Sequence, residues 1–142
     1  MADENLSDEE IIEILSTTKV IALVGASANT ARPAYGVMGF LLRRGYAVYP
    51  VNPGLEGQKI HDQLVYARLS DIPVAIDMVD VFRNSAAVPQ LMNEILELPQ
   101  LPSVVWMQLG VVHNEAAAAA ANKGIKVVMN RCPAIEIPRL AI

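Results

Sequence analysis

The sequence predicts an α/β fold, a doubly wound parallel sheet in a single domain over residues 1–142, and three observations carry that prediction. Five short runs, Lys19 to Val24, Tyr46 to Val51, Val74 to Val81, Ser103 to Leu109 and Lys126 to Met129, are rich in apolar residues and do not alternate cleanly with polar ones. Continuous apolar character is the mark of strands covered on both faces. Between these runs lie segments whose apolar residues recur at helical spacing. Strands and helices taking turns build parallel crossovers, and in such sheets ligands sit outside the carboxyl ends of the strands.

The composition sets bounds on the rest. A chain of 142 residues that is 53% hydrophobic suits one substantial core. The formal net charge is −4 and the 11 basic residues are scattered, which disfavours nucleic acid or an anionic membrane as partner. A lone cysteine excludes an intramolecular disulfide, and with two distant histidines it offers no zinc spacing, so a reducing cytoplasm and no metal are expected. The acidic start, Met1 to Glu10, lacks the pattern of an export signal, and no apolar run approaches the ~18 residues of a membrane span.

The elements follow in order. Ser7 and Glu10 form a capping box with a Leu6–Ile11 hydrophobic staple, which opens an amphipathic capping helix within residues 1–18. The strand from Lys19 to Val24 breaks at Gly25-Ala26-Ser27. A helix then carries Val37, Met38, Leu41 and Leu42 and stops at Gly45. The second strand, Tyr46 to Val51, is closed by the turn residues Asn52-Pro53-Gly54, and between Gln58 and Leu69 one extended piece is expected around Leu64 to Tyr66. After the third strand, Val74 to Val81, a helix places Val88, Leu91, Met92, Ile95 and Leu96 on one side and ends before Pro99 and Pro102. Asn114 is read as the cap of an alanine helix that follows the fourth strand and stops at Gly124, and Pro133 opens a short last helix after the fifth strand.

The carboxyl ends of these strands bring candidate binding residues to one edge: Gly25, Ala26 and Ser27 with nearby Arg32; Val51, Asn52 and Pro53; Asp80, Val81, Phe82 and Arg83; Gln108, Leu109 and Gly110; and Asn130 to Pro133. A glycine and small residues between a strand and a helix suit a phosphate, because a helix N-terminus offers unpaired N–H groups. Arginines pair phosphate, amides and hydroxyls hydrogen-bond, and an aromatic ring covers a base. No paired carboxylates and no nucleophile–base pair stand out, so no catalytic residue is expected. The G-x-G-x-x-G fingerprint is missing and Asn52 stands where an acidic ribose clamp belongs, which demotes standard NAD binding. No G-K-[ST] supports triphosphate hydrolysis.

Each of these residues also has a plainer reading. Ser27 can cap a turn, Arg32 and Arg83 can be solvated charges, and Phe82 can belong to the core. Asp80 can hold a loop, while Gln108, polar in an apolar strand, needs a partner that is either loop backbone or ligand. His61 and His113 read as surface or capping residues. Cys132 is either a thiol made reactive by a helix N-terminus, able to exchange with a ligand thiol, or a small buried filler.

Taken together, Val24-Gly25-Ala26-Ser27, Pro50-Val51-Asn52-Pro53, Asp80-Val81-Phe82-Arg83, Trp106-Met107-Gln108-Leu109-Gly110 and Asn130-Arg131-Cys132-Pro133 resemble, in order and spacing, the small stand-alone CoA-binding proteins. Their fold is similar to the CoA-binding domain of the succinyl-CoA synthetase α subunit, whose Asn-x-Cys-Pro segment resembles Asn130 to Pro133. The resemblance covers Lys19 to Leu140. It implies coenzyme A or acyl-CoA as ligand, with Ser27 and adjacent N–H groups at the pyrophosphate and Arg32 as counter-charge. Val51, Asn52 and Pro53 would line the adenosine end, Phe82 would cover adenine, Arg83 would pair a phosphate, and Gln108, Leu109 and Gly110 would flank the pantetheine arm. In the synthetases catalysis depends on a phosphohistidine from a further domain and on a partner subunit, so the expectation is non-catalytic binding, as a carrier or sensor. An NAD(P)-dependent oxidoreductase and a protein-interaction module with a vestigial pocket are the competing readings.

Overall fold

Five parallel strands form the central sheet of the computed structural model, which describes residues 6–142. In chain order the elements are α1 (Asp8–Thr17), β1 (Val20–Val24), α2 (Pro33–Arg43), β2 (Ala47–Val51), the short hairpin β3 (Lys59–Ile60) and β4 (Gln63–Leu64), β5 (Met78–Val81), α3 (Val88–Leu96), β6 (Val104–Met107), α4 (Asn114–Asn122), β7 (Lys126–Val128) and α5 (Pro133–Arg139). The sheet order is β2-β1-β5-β6-β7, with every neighbouring pair parallel. Beyond β2 the chain adds one parallel bridge, Val51 to Tyr66, in which the Asn52 N–H donates to the Tyr66 carbonyl at 2.9 Å and the Tyr66 N–H to the Pro50 carbonyl at 3.0 Å. With that bridge counted as an edge strand, the order is the 3-2-1-4-5-6 of a Rossmann-like sheet.

Side chains alternate between two covered faces. Met78 and Trp106 point toward α1, α2 and α5 with Ile11, Met38 and Leu41, whereas Val79, Val81, Val105 and Met107 point toward α3 and α4 with Leu91, Ile95 and Ala120. Each large side chain so buried contributes about 1.5–3 kcal/mol of transfer free energy. The alanines of α4 serve this packing, since Ala116, Ala117 and Ala120 are all buried. The capping box is present: the Ser7 hydroxyl accepts from the Glu10 N–H at 3.1 Å and the Glu10 carboxylate from the Ser7 N–H at 2.9 Å. Leu6 packs against the core beneath α1. Residues 1–5 of the capping segment lie outside the described residues.

Several boundaries differ from expectation. The third long strand begins at Met78, not Val74; just before it Asp77 ties the strand to the start of β1, its Oδ2 accepting from the N–H groups of Lys19 and Val20 at 3.0 and 2.9 Å. Val74, 42% exposed, belongs to the irregular approach after Pro73. The fourth ends at Met107, not Leu109, since the chain turns outward after the Gln108 N–H reaches the Val81 carbonyl and leaves Leu109 57% exposed. The cap of α4 is His113, whose Nδ1 accepts from the Ala116 N–H at 3.1 Å, and Asn114 is the first helical residue. His61 has a structural role: its Nε2 is 2.8 Å from the Tyr35 carbonyl and its ring lies against Tyr35, which docks the hairpin on α2. Among the described residues no helix is long and apolar enough to cross a membrane.

Candidate functional site

Strand order reverses between β1 and β5, so the loops leaving their carboxyl ends diverge and open a crevice. A cleft of about 590 Å³ occupies that place. Its walls include Gly25, Ala26, Ser27 and Arg32 from the loop after β1, Asn52 after β2, Phe82 and Arg83 after β5, Gln108 and Leu109 after β6, and Cys132 after β7. Val51 and Val81 lie in the core rather than the wall, and Pro53 and Gly110 stand in adjoining turns. The wall also includes Pro33, Ala34 and Val37 of α2 and Val111, which sequence reasoning did not single out. For Ala34 a signal existed, its place in the first turn of the helix after the glycine loop.

The loop after β1 is shaped by backbone demands. Gly25 has φ +90°, and a Cβ on it would lie 2.3 Å from the Phe82 carbonyl oxygen. The glycine therefore admits neighbouring backbone rather than ligand. The N–H groups of Gly25 and Ala26 both donate to the Val51 carbonyl, at 3.0 and 3.3 Å, and are spent there. The Ser27 hydroxyl accepts from the Asn29 N–H at 3.0 Å and the Asn29 side chain from the Ala31 N–H at 2.9 Å, which closes the loop onto α2. Among the described residues the N–H groups of Ser27 and Ala34 have no acceptor. Arg32 precedes Pro33 as the N-cap of α2 without a side-chain capping bond, so the positive end of that helix is open.

Asn52 is fully engaged as a tie between loops. Its amide nitrogen donates to the Ala26 carbonyl at 2.8 Å and its amide oxygen accepts from the Gly54 N–H at 2.9 Å. A carboxylate at this position could not donate to Ala26, a reason for asparagine that concerns the fold. On the far side, Asn130, itself at φ +60°, accepts from the Gly110 N–H at 2.7 Å, and the Ser85 hydroxyl accepts from the Val112 N–H at 3.0 Å. These bonds set the course of the Leu109–Val112 loop.

Of the two partners expected for Gln108, loop backbone or ligand, the loop backbone is not the one it meets within the protein. Asp80, fully buried, stands beside Gln108: with the amide turned so that its nitrogen meets the ionised carboxylate, that nitrogen donates to Oδ1 at 2.9 Å and Oδ2 at 3.3 Å. Burial pushes the Asp80 carboxyl well above the usual carboxylate range. Cys132 is buried, as the plainer reading of it expected, and it borders the cleft ahead of the seven-residue α5. Arg131 turns to Glu136, at 3.4 Å, and its carbonyl accepts from the Trp106 indole N–H at 2.9 Å.

The charge of the cleft is opposite to that of the protein. Arg32 and Arg83 are exposed in its wall, and among the described residues neither makes a side-chain hydrogen bond or ion pair. Among the described residues no Asp or Glu lines it. Two unneutralised guanidinium groups beside an open helix N-terminus favour an anion, above all a phosphate.

Comparison with known proteins places the chain in a family. The model of the CoA binding domain family matches residues 19–138, nearly the whole chain. The chain belongs to the CoA binding domain family. It is 36% identical over 129 residues to Uncharacterized protein YneT of Bacillus subtilis, covering 91% of this chain and 93% of that one. A solved structure from Thermus thermophilus superimposes with a TM-score of 0.89 at 38% identity, over 95% of this chain and 99% of its own. A more distant relative is the acetate–CoA ligase (ADP-forming) I subunit alpha of Pyrococcus furiosus, 33% identical over 89 residues, where the match spans 58% of this chain and 19% of that subunit. The likeness to a ligase subunit is thus confined to a small part of it.

Proposed function

We propose that the cleft binds coenzyme A or an acyl-CoA without transforming it, so that the protein acts as a carrier or sensor of the ligand. The observation that carries this reading is the pair of arginines, Arg32 and Arg83, unpaired among the described residues and facing a cleft that no described Asp or Glu lines, in a protein of net charge −4. In this reading the N–H groups of Ser27 and Ala34 meet the pyrophosphate, with Arg32 beside them. The turn at Val51, Asn52 and Pro53 runs along the adenosine end, Phe82 covers adenine and Arg83 pairs a further phosphate. Leu109, more than half exposed, offers an apolar contact to the pantetheine arm between Gln108 and Gly110. Membership of the family supports the choice of ligand.

Absence of transformation is supported by the wall itself. Its ionisable groups are Arg32, Arg83 and Cys132, and none is a base placed to activate a nucleophile. A reducing, cytoplasmic setting accords with the single free thiol of Cys132. Isothermal titration with coenzyme A, acetyl-CoA and NADPH tests the proposal, alongside thermal melting with each. A ligand at about 100 times its Kd stabilises the fold by about 2.7 kcal/mol, a rise in Tm of several degrees. The expected result is binding of the CoA compounds that weakens with salt and falls at least tenfold in Arg32→Ala/Arg83→Ala. No binding of coenzyme A, or tighter binding of NADPH, overturns it.

A further inference from the structure

Asp80 and Gln108 form a buried polar pair directly behind the cleft. Asp80 lies on the face of β5 that carries Met78, and Gln108 continues the face of β6 that carries Trp106, so the two side chains meet beneath the ligand's path. Across the sheet Asp80 pairs with Leu23 and Trp106, which are not ionisable. The ionisable groups that line the same cleft are Arg32, Arg83 and Cys132, and none of them hydrogen-bonds to Asp80. Gln108 is its one partner among the described residues. A terminal amide has a donor end and an acceptor end, and a carboxylate accepts only. With Asp80 ionised, the amide nitrogen is committed to it at 2.9 and 3.3 Å, and the oxygen is the end that Gln108, a residue of the cleft wall, has left to offer.

We infer that Asp80 is a positioning residue whose ionised form fixes the orientation of Gln108, so that the cleft then presents a carbonyl oxygen selecting an N–H donor of the pantetheine arm. The inference rests on the CoA reading above. A buried carboxylate held by one neutral amide is a costly arrangement. It acquires a purpose if it decides which end of Gln108 the ligand meets. Protonation reverses that decision: the carboxyl O–H donates to the Gln108 oxygen and the amide turns its NH2 to the cleft. Burial moves this titration above the usual carboxylate range.

The test compares coenzyme A with adenosine 3′,5′-bisphosphate, which lacks the pantetheine arm, by isothermal titration of the wild type, Asp80→Asn, Gln108→Leu and the double variant. Asparagine can pair with either end of Gln108, so Asp80→Asn should weaken coenzyme A about tenfold while leaving the bisphosphate unchanged. Gln108→Leu should do the same, and the double variant should lose no more than either single one. A merely structural role would move both ligands together. In the wild type, the affinity for coenzyme A relative to that of Gln108→Leu should fall as pH is lowered through the Asp80 titration. This last comparison stands even where Asp80→Asn fails to fold. Equal effects on the two ligands, additive losses, or a pH-independent ratio overturn the inference while leaving the CoA reading intact. Failure of the wild type to bind either ligand overturns both.

Discussion

Replacing Gly25 by alanine should be among the most damaging small changes in this chain, and the structure indicates by how much. At φ +90° an L side chain is strained, which costs about 1–2 kcal/mol. The new Cβ would also stand 2.3 Å from the oxygen and 2.8 Å from the carbon of the Phe82 carbonyl, so the two backbones would have to part by roughly 1 Å. That movement strains the bond from the Phe82 N–H to the Val24 carbonyl, now 2.8 Å, and overpacking of this kind costs about 1–3 kcal/mol. Together these give a loss of about 2–5 kcal/mol and a fall in Tm of about 6–20 °C for a domain of this size. Gly36→Ala is the matched control. Gly36 is exposed on α2 with nothing within 4 Å of a built Cβ, so helix propensity should stabilise the variant by about 0.5–1 kcal/mol. Thermal melting followed by circular dichroism reads both. A Gly25→Ala protein melting within about 2 °C of the parent, or equal destabilisation by both variants, would refute the reasoning.

Three further outcomes follow from single contacts. Asn52→Asp removes the donor to the Ala26 carbonyl and sets a carboxylate against it; urea denaturation should show a loss of about 1–3 kcal/mol, and coenzyme A affinity should fall with it. His113→Ala should cost about 1 kcal/mol by uncapping α4, whereas Asn114→Ala should be nearly neutral, a difference visible in their denaturation midpoints. The Asp80 carboxyl has its folded pKa raised above the ordinary 3.8, so the native state binds the extra proton. Its contribution to stability is complete below the unfolded pKa and is lost as pH rises through the folded one; the pH profile of unfolding should therefore slope downward in that window in the wild type and be flatter in Asp80→Asn.

Legibility followed the physical origin of each feature. The five long strands were visible because apolar runs buried on both faces leave a continuous signal, and α1 because its capping box is local. The edge bridge at Tyr66 was visible only as an extended piece, since one pair of hydrogen bonds to β2 defines it. The start of β5 was misread because Val74, Ala75 and Ile76 look like strand, while the tie of Asp77 to β1 just before the strand is long-range and leaves no local sign. His113 lost to Asn114 in the capping prediction because asparagine is the commoner cap, and only the folded turn shows that the imidazole nitrogen reaches Ala116.

At the site, residue type marked the right edge of the sheet and concealed how the polar groups divide their work. Gly25, Asn52, Asn130 and half of the Gln108 amide are consumed in holding five loops in register. Those bonds join residues 20 or more positions apart, so no local pattern announces them. Uncommitted among the described residues are the guanidinium groups of Arg32 and Arg83, the N–H groups of Ser27 and Ala34 among others and, with Asp80 ionised, the Gln108 amide oxygen. In the proposed reading, phosphates meet the arginines and N–H groups, and an N–H donor further along the ligand meets Gln108. Coenzyme A offers its phosphates and the amide N–H groups of the pantetheine arm, whereas adenosine 3′,5′-bisphosphate lacks those amides. The contrast between Arg32→Ala/Arg83→Ala, which should weaken both ligands, and Gln108→Leu, which should weaken one, therefore separates recognition of phosphate from recognition of the arm.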